Sequence, residues 1–456
     1  MATELTILQS LDPRSQYSLV PRNGDDRNRT PGPTTGFTYF WLSPARYGPS
    51  TVSMGFMDVF SQQQRTAPSR TLGLATIALL FPGYLCYHFA IGNHLIPPVL
   101  GGFFAITATA LFPFLLLVLA RDFVARLITP YFWCVLLFLG YCIGWAVTHL
   151  FLGAEYQQAQ VLYSVYQLMI LVVVMLGARS IGIESQSTKS VLLILWGIMI
   201  LIIWVHADRN LTIELLHRRT DDSTIGTYQG IARSLLVTSL LILSVIRGIS
   251  IVPFVLVTTA ALFAIGARSE FLGFLIVIAW MMPIWFKERK AILMAAAMGF
   301  TLLVPVFLSD VLEKSSRIFD LIEISQDTSF SARNSASIGA LHTIMNNPIL
   351  GDFGSRANGY YAHNALSAWV TYGVAGFVLF VSLTLAPLID SFKRIAIENV
   401  HADCLLRATF CFGVYHVTMI TFAKSVADPV VGIGWGLYSA LAIRDHLNAT
   451  SGEYRT

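Results

Sequence analysis

The sequence predicts an all-α integral membrane protein of about 12 transmembrane helices, on three observations. Of its 456 residues, 55% are hydrophobic and only 12% are charged, whereas soluble chains carry about a quarter charged residues. Mean hydropathy is +0.64. Apolar runs long enough to span a bilayer core, ~20 residues, recur from residue 71 to residue 443. With 30 Phe and 9 Trp as well, too little polar surface remains to cover a soluble fold.

Residues 1–70 are rich in Arg, Gly, Pro and Ser and read as a disordered cytoplasmic tail. They lack a charged-then-apolar start, so no cleavable signal peptide is expected. The membrane domain covers 71–443, and 444–456 form a C-terminal cytoplasmic tail. The expected spans are 71–93, 97–120, 129–153, 160–178, 190–206, 230–246, 248–267, 270–286, 291–309, 363–388, 403–422 and 428–443.

Lys and Arg between these spans set the orientation. Arg121, Arg126, Arg179, Lys189, Arg247, Lys287, Arg289, Lys290, Lys393, Arg394, Arg444 and Arg455 fall on one set of alternating segments, with the Arg-rich tail. The short links 94–96 and 154–159 on the other side carry neither. Both termini are therefore expected in the cytoplasm. Two long outward segments, 207–229 and 310–362, carry Arg209, Arg218, Arg219, Lys314, Arg317, Arg333 and Arg356 against the usual bias. An anionic ligand on that face would explain them. The larger loop, between spans 9 and 10, contains Ile338, Leu341, Ile344 and Met345 at helical spacing. This predicts an amphipathic helix packed on the membrane domain and ended by Asn346-Asn347-Pro348.

Candidate chemistry sits at the outward ends of spans. His363 and Asn364 stand where the large loop meets a helix start, and an imidazole there could take a proton from a hydroxyl. The same pair also reads as a polar cap, with Gly373 and Gly376 as helix-packing residues. Arg268, in Gly266-Ala-Arg268-Ser-Glu270, occupies a tight turn between two apolar runs. A guanidinium there suits a lipid diphosphate, which it can grip with two parallel hydrogen bonds. The alternative is a local ion pair with Glu270. Arg233 lies one turn into its span, as a functional cation or one that snorkels outward. Arg407 reads as snorkelling to the cytoplasm, His416 as a satisfied bundle histidine, and Lys424 with Asp428 as a pair.

Several classes lose support. There is no phosphate-binding loop for ATP and no clustered ligand set, so neither a metal nor another cofactor is expected. The net charge of +4 is small, and no nucleic-acid partner is expected. All five cysteines lie within apolar runs as small apolar side chains.

At these residues the chain resembles the O-antigen ligase and O-antigen polymerase family of membrane glycosyltransferases. The elements that carry the resemblance are Arg333, Pro348-Ile-Leu-Gly351, His363-Asn364-Ala-Leu366 and Gly373-Val-Ala-Gly376. Ala267-Arg268-Ser269, and Arg219 or Arg218 before Gly226-Thr227, complete them. The resemblance implies glycan transfer at the periplasmic face of the bacterial inner membrane. The donor would be an undecaprenyl-diphosphate-linked glycan and the acceptor a second glycan or lipid A core, without metal or nucleotide. On that reading Arg268 and Arg219, with Arg218 as rival, hold the diphosphate, and His363 orients or deprotonates the acceptor hydroxyl. Arg333, Asn364, Arg233 and Arg356 bind substrate, and loop 310–362 closes over the cavity. Ser337 stands where the family usually has tryptophan, one of several departures that favour polymerisation of repeat units over ligation. A transporter with no covalent step is the remaining class.

Overall fold

A computed structural model describes residues 67–93, 95–96, 102–152, 155–207, 213, 228–285, 328–353, 364–397 and 402–450. Every regular element among them is helical. Helix α1 (Ala67–Ala78) runs through a π turn at Leu79–Gly83 into α2 (Tyr84–Gly92). Pro82 lies inside that turn, where its missing N–H lets the hydrogen-bond ladder slip register. Next come α3 (Phe103–Val124), α4 (Pro130–Leu152), α5 (Glu155–Ser180), α6 (Gln186–His206), α7 (Tyr228–Val245), α8 (Ile251–Ile265) and α9 (Arg268–Trp285). The last four are α10 (Thr328–Asn346), α11 (Leu366–Phe392), α12 (Cys404–Phe422) and α13 (Val430–Thr450).

Among the described residues, nine helices are long and apolar enough to cross a membrane. They match nine expected spans to within a few residues, apart from the second, Phe103–Val124, and the tenth, Leu366–Ile395, which runs longer. The expected spans 270–286 and 428–443 correspond to α9 and α13, which pack in the bundle but do not belong to the nine. The expected span 291–309 lies outside the described residues, as do the tail 1–66 and segment 451–456.

Burial orders the bundle. The apolar windows of α7 and α12 are 72% and 78% buried, against 11% for α3 and 22% for α6, so α7 and α12 are central and α3 and α6 peripheral. Helix α12 packs against α7, α9, α11 and α13. Helix α13 lies along α5, where glycines let the main chains meet. A Cβ on Gly432 or Gly436 would stand 2.7 Å from Leu171 O or 2.2 Å from Met175 O. This is the close approach that small residues permit between membrane helices, where dispersion replaces the hydrophobic drive.

Two ends of the bundle follow from the alternation. At one end Arg179 pairs with Asp122 at 2.9 Å and lies over the Phe132 ring. Arg444 pairs there with Glu184 and Asp403, both at 2.8 Å, and Arg394 with Asp390 and Asp445. Arg407 does not snorkel out as expected. It is buried, donating from Nη1 to Ile246 O at 3.3 Å and from Nε to Asp403 O at 3.4 Å, so carbonyls replace water as its acceptors. The opposite end carries the starts of α7, α9, α11 and α13, and is called the site end below.

Helix α10 forms where amphipathic periodicity placed it and ends at Asn346, two residues before Pro348. Its packed face differs from the expectation. Ala340 and Ile344 bury against Val370, Leu366 and Trp369 of α11. Ile338, Leu341 and Met345 stay 60%, 48% and 73% exposed. Apolar side chains are as stable against lipid as against protein, so periodicity alone does not name the packed face.

Candidate functional site

The site end is built from helix starts. Helix α8 ends at Ile265, and Gly266 turns the chain with φ +78°, a left-handed conformation that glycine adopts without strain. Ala267 follows, and α9 starts at Arg268. The expected tight turn therefore forms, and Arg268 sits half-buried on the first turn.

Glu270, in the same turn, is fully buried. Its Oε1 accepts from Lys424 Nζ at 2.5 Å and its Oε2 from Ser269 Oγ at 2.6 Å. A carboxylate in the first turn also matches the positive end of the helix dipole. Lys424 comes from the segment 423–429 between α12 and α13. Its partner is thus Glu270, 154 residues earlier in the chain, and not Asp428 as expected.

Asp428 instead faces Arg233, with Oδ1 3.6 Å from Nη1, and accepts from Val430 N–H at 3.1 Å. Arg233 therefore has a carboxylate partner at the head of α7 and does not reach outward unpaired. Burial opposes charge on Asp428, yet Arg233, Lys424 and the Val430 N–H together hold its carboxyl below the ordinary value. Beneath the cluster, Tyr415 Oη, His416 Nε2 and Arg233 Nε have no hydrogen-bond partner among the described residues. His416 is satisfied in part: it hydrogen-bonds the Val430 backbone, while its Nε2 has no partner among the described residues. A Cβ on Gly434 would lie 2.5 Å from its Nδ1.

Asn364 opens α11. Its Oδ1 accepts from Leu366 N–H at 3.0 Å, and its Nδ2 donates to Ser337 Oγ on α10 at 3.3 Å. Ala365 N–H donates to Ile420 O at 2.6 Å. Ser367 Oγ donates to Asn364 O at 2.8 Å and accepts from Val426 N–H at 2.9 Å. The head of α11 is thereby stitched to α10 on one side and to segment 423–429 on the other.

Gly373 does more than allow close packing. It breaks α11, with φ 68° and ψ −174°. The main-chain groups around the break pair with the segment after α10. Asp352 N–H donates to Val370 O at 2.6 Å and Val374 N–H to Ile349 O at 3.2 Å. Trp369 Nε1 donates to Pro348 O at 2.7 Å. A Cβ on Gly373 would stand 2.1 Å from Ile349 O. The strings Pro348–Gly351 and Gly373–Gly376, separate in sequence, thus interlock.

Of the residues picked from sequence, Arg268, Arg233 and Asn364 lie at this end on α9, α7 and the α11 entry. His363, Arg218, Arg219 and Arg356 lie outside the described residues, as does the side chain of Arg333, whose backbone belongs to α10. Sequence reasoning missed the cross-pairing of Glu270, Lys424 and Asp428. The available signal was a lysine and an aspartate four residues apart between two spans, too close together to suggest separate distant partners.

No protein-family model matches the sequence, and no curated protein is significantly similar to it.

Proposed function

We propose that this chain is a membrane glycosyltransferase acting on undecaprenyl-diphosphate-linked glycans at the periplasmic face of the bacterial inner membrane, joining repeat units of a surface polysaccharide. The observation that supports this reading is the gathering of Arg268, Arg233 and Asn364 at one end of the bundle, beside α10. Cations kept at a membrane edge suit an anionic diphosphate.

The acceptor hydroxyl oxygen attacks the anomeric carbon of the donor glycan. The bond from that carbon to the phosphate oxygen breaks, and undecaprenyl diphosphate leaves with the electron pair. Arg268, with Arg219 or Arg218, neutralises the charge that grows on the leaving group. His363, adjacent in sequence to Asn364, takes the acceptor proton. Arg333, Arg356, Arg233 and Asn364 orient the glycans. A transporter would place its ligand at a helix break near mid-membrane. Here the backbone groups at the Gly373 break are engaged by the chain's own loop, which favours the enzyme.

The test is purified protein with a lipid-diphosphate-linked glycan and EDTA, with product length read on a gel. A ladder of longer lipid-linked glycans, lost in His363→Ala and Arg268→Ala, is expected. Transfer only to added lipid A core would identify a ligase instead. No covalent product with several donors would overturn the enzyme reading.

A further inference from the structure

The site end contains a buried ion pair, Glu270 with Lys424, that the transfer reaction, as described, does not use. Glu270 and Asp428 are 0% and 6% exposed and Lys424 is 7% exposed. Each is supplied by a different element from its partner: Glu270 by α9, Arg233 by α7, and both Lys424 and Asp428 by segment 423–429. A buried ion pair is weak grounds for stability, because removing two charges from water offsets most of their attraction. Apolar side chains of similar volume hold helices together at least as well. In some proteins such a pair instead fixes register, the direction and distance between the elements it joins.

The distances fixed here are informative. Glu270 stands two residues from Arg268 on the first turn of α9. Lys424, its partner, lies in segment 423–429, whose Val426 N–H is held by Ser367 on the first turn of α11. The same first turn receives its start from Asn364 and is tied through Ala365 N–H to Ile420 O, at the end of α12. A continuous path of short contacts therefore runs from the head of α9 to the head of α11. Asp428 extends it to Arg233 on α7.

We propose that Glu270 and Lys424 are positioning residues, whose buried ion pair sets the separation between Arg268 and the Asn364 entry of α11 across segment 423–429. The proposal rests on the transferase reading, in which these two helix heads hold donor and acceptor. Neither residue touches substrate. They act through the alignment of two sites that each bind their own part of the reaction, so their loss lowers turnover more than binding.

The test replaces the pair as a unit. Full-length protein in lipid nanodiscs is compared with the double variant Glu270→Leu/Lys424→Met and with the charge-exchanged variant Glu270→Lys/Lys424→Glu. Three quantities are read: the thermal unfolding midpoint, kcat and KM for the lipid-diphosphate-linked donor, and amide exchange at 268–274 and 366–372. In the apolar variant we expect an unchanged or higher midpoint, at least a tenfold lower kcat, a donor KM within threefold, and faster exchange at both helix heads. The exchanged pair should recover at least threefold of the lost kcat. A kcat within twofold of the parent in the folded apolar variant overturns the proposal. So does a loss of kcat that follows a lowered midpoint, which marks a merely structural pair. If the parent itself makes no glycan product, the transferase reading fails on its own. Exchange then decides the link: unchanged exchange at 366–372 overturns it, and faster exchange at both heads supports it.

Discussion

Two charge clusters at opposite ends of the bundle, the Arg444 pairs and the Glu270–Lys424 pair, meet water in opposite ways. At one end the Arg444 pairs sit on a wet rim: the side chains of Arg444, Glu184 and Asp403 are 27%, 52% and 40% exposed, whereas Arg179 beneath them is 3% exposed. At the site end, Glu270 and Lys424 are sealed inside, at 0% and 8% of side-chain area. A rim pair keeps its water, and breaking it matters little. A sealed pair has lost its water, so each charge depends on the other. The rim suits orientation in the membrane, which needs only the count and side of the cations. The sealed end suits a task in which particular groups must face each other.

That contrast is open to measurement by unfolding in detergent. The largest effect is expected for Lys424→Ala, which strands a buried carboxylate and should destabilise the protein by about 3–5 kcal/mol. A loss under 1 kcal/mol would make the two ends equivalent and remove the contrast. Next comes Gly373→Ala, where a positive-φ extended backbone open essentially to glycine alone costs about 1–3 kcal/mol and the added Cβ meets Ile349 O at 2.1 Å. Proteolysis within 347–353 should rise in this variant, and an unchanged cleavage rate would argue against the clip. Asn364→Ala removes the Leu366 N–H acceptor and should cost about 1 kcal/mol. Equal stability of variant and parent would mean that the Asn364 contacts are replaced by water. The smallest change is expected for Arg444→Ala, about 0–1 kcal/mol and falling further with added salt. A loss above 2 kcal/mol would show that the rim is as tightly coupled as the site end.

Span positions were legible because a bilayer demands length and apolarity, and both are properties of consecutive residues. The turn at Gly266–Arg268 was legible for the same reason: two apolar runs met with no room between them. Partners across the bundle were not. Glu270 lies two residues from Arg268 in one direction and 154 residues from Lys424 in the other, and nothing local distinguishes those choices. The packed face of α10 was only partly legible, because Ile344 packs as expected while Ile338, Leu341 and Met345 stay about half or more exposed. In water that exposure would be costly. Beside lipid it is not. Arg268, Arg233 and Asn364 stood out as polar residues at apolar borders, a contrast visible within a few residues of sequence.

The clip at Gly373 places the α10 loop by main-chain atoms, since Ile349 O, Asp352 N, Val370 O and Val374 N make its hydrogen bonds. Ile349 and Leu350 meanwhile point outward, at 70% and 60% exposure. Such an address is nearly indifferent to side-chain spelling. Exposed side chains in the loop can be exchanged while the loop stays moored at the same height on the helix. Positions 351 and 373, each with positive φ and a carbonyl within 2.5 Å of any added Cβ, exclude a side chain, and Trp369 adds one side-chain bond to Pro348 O. A scaffold of this kind lets the outward side chains change without refolding.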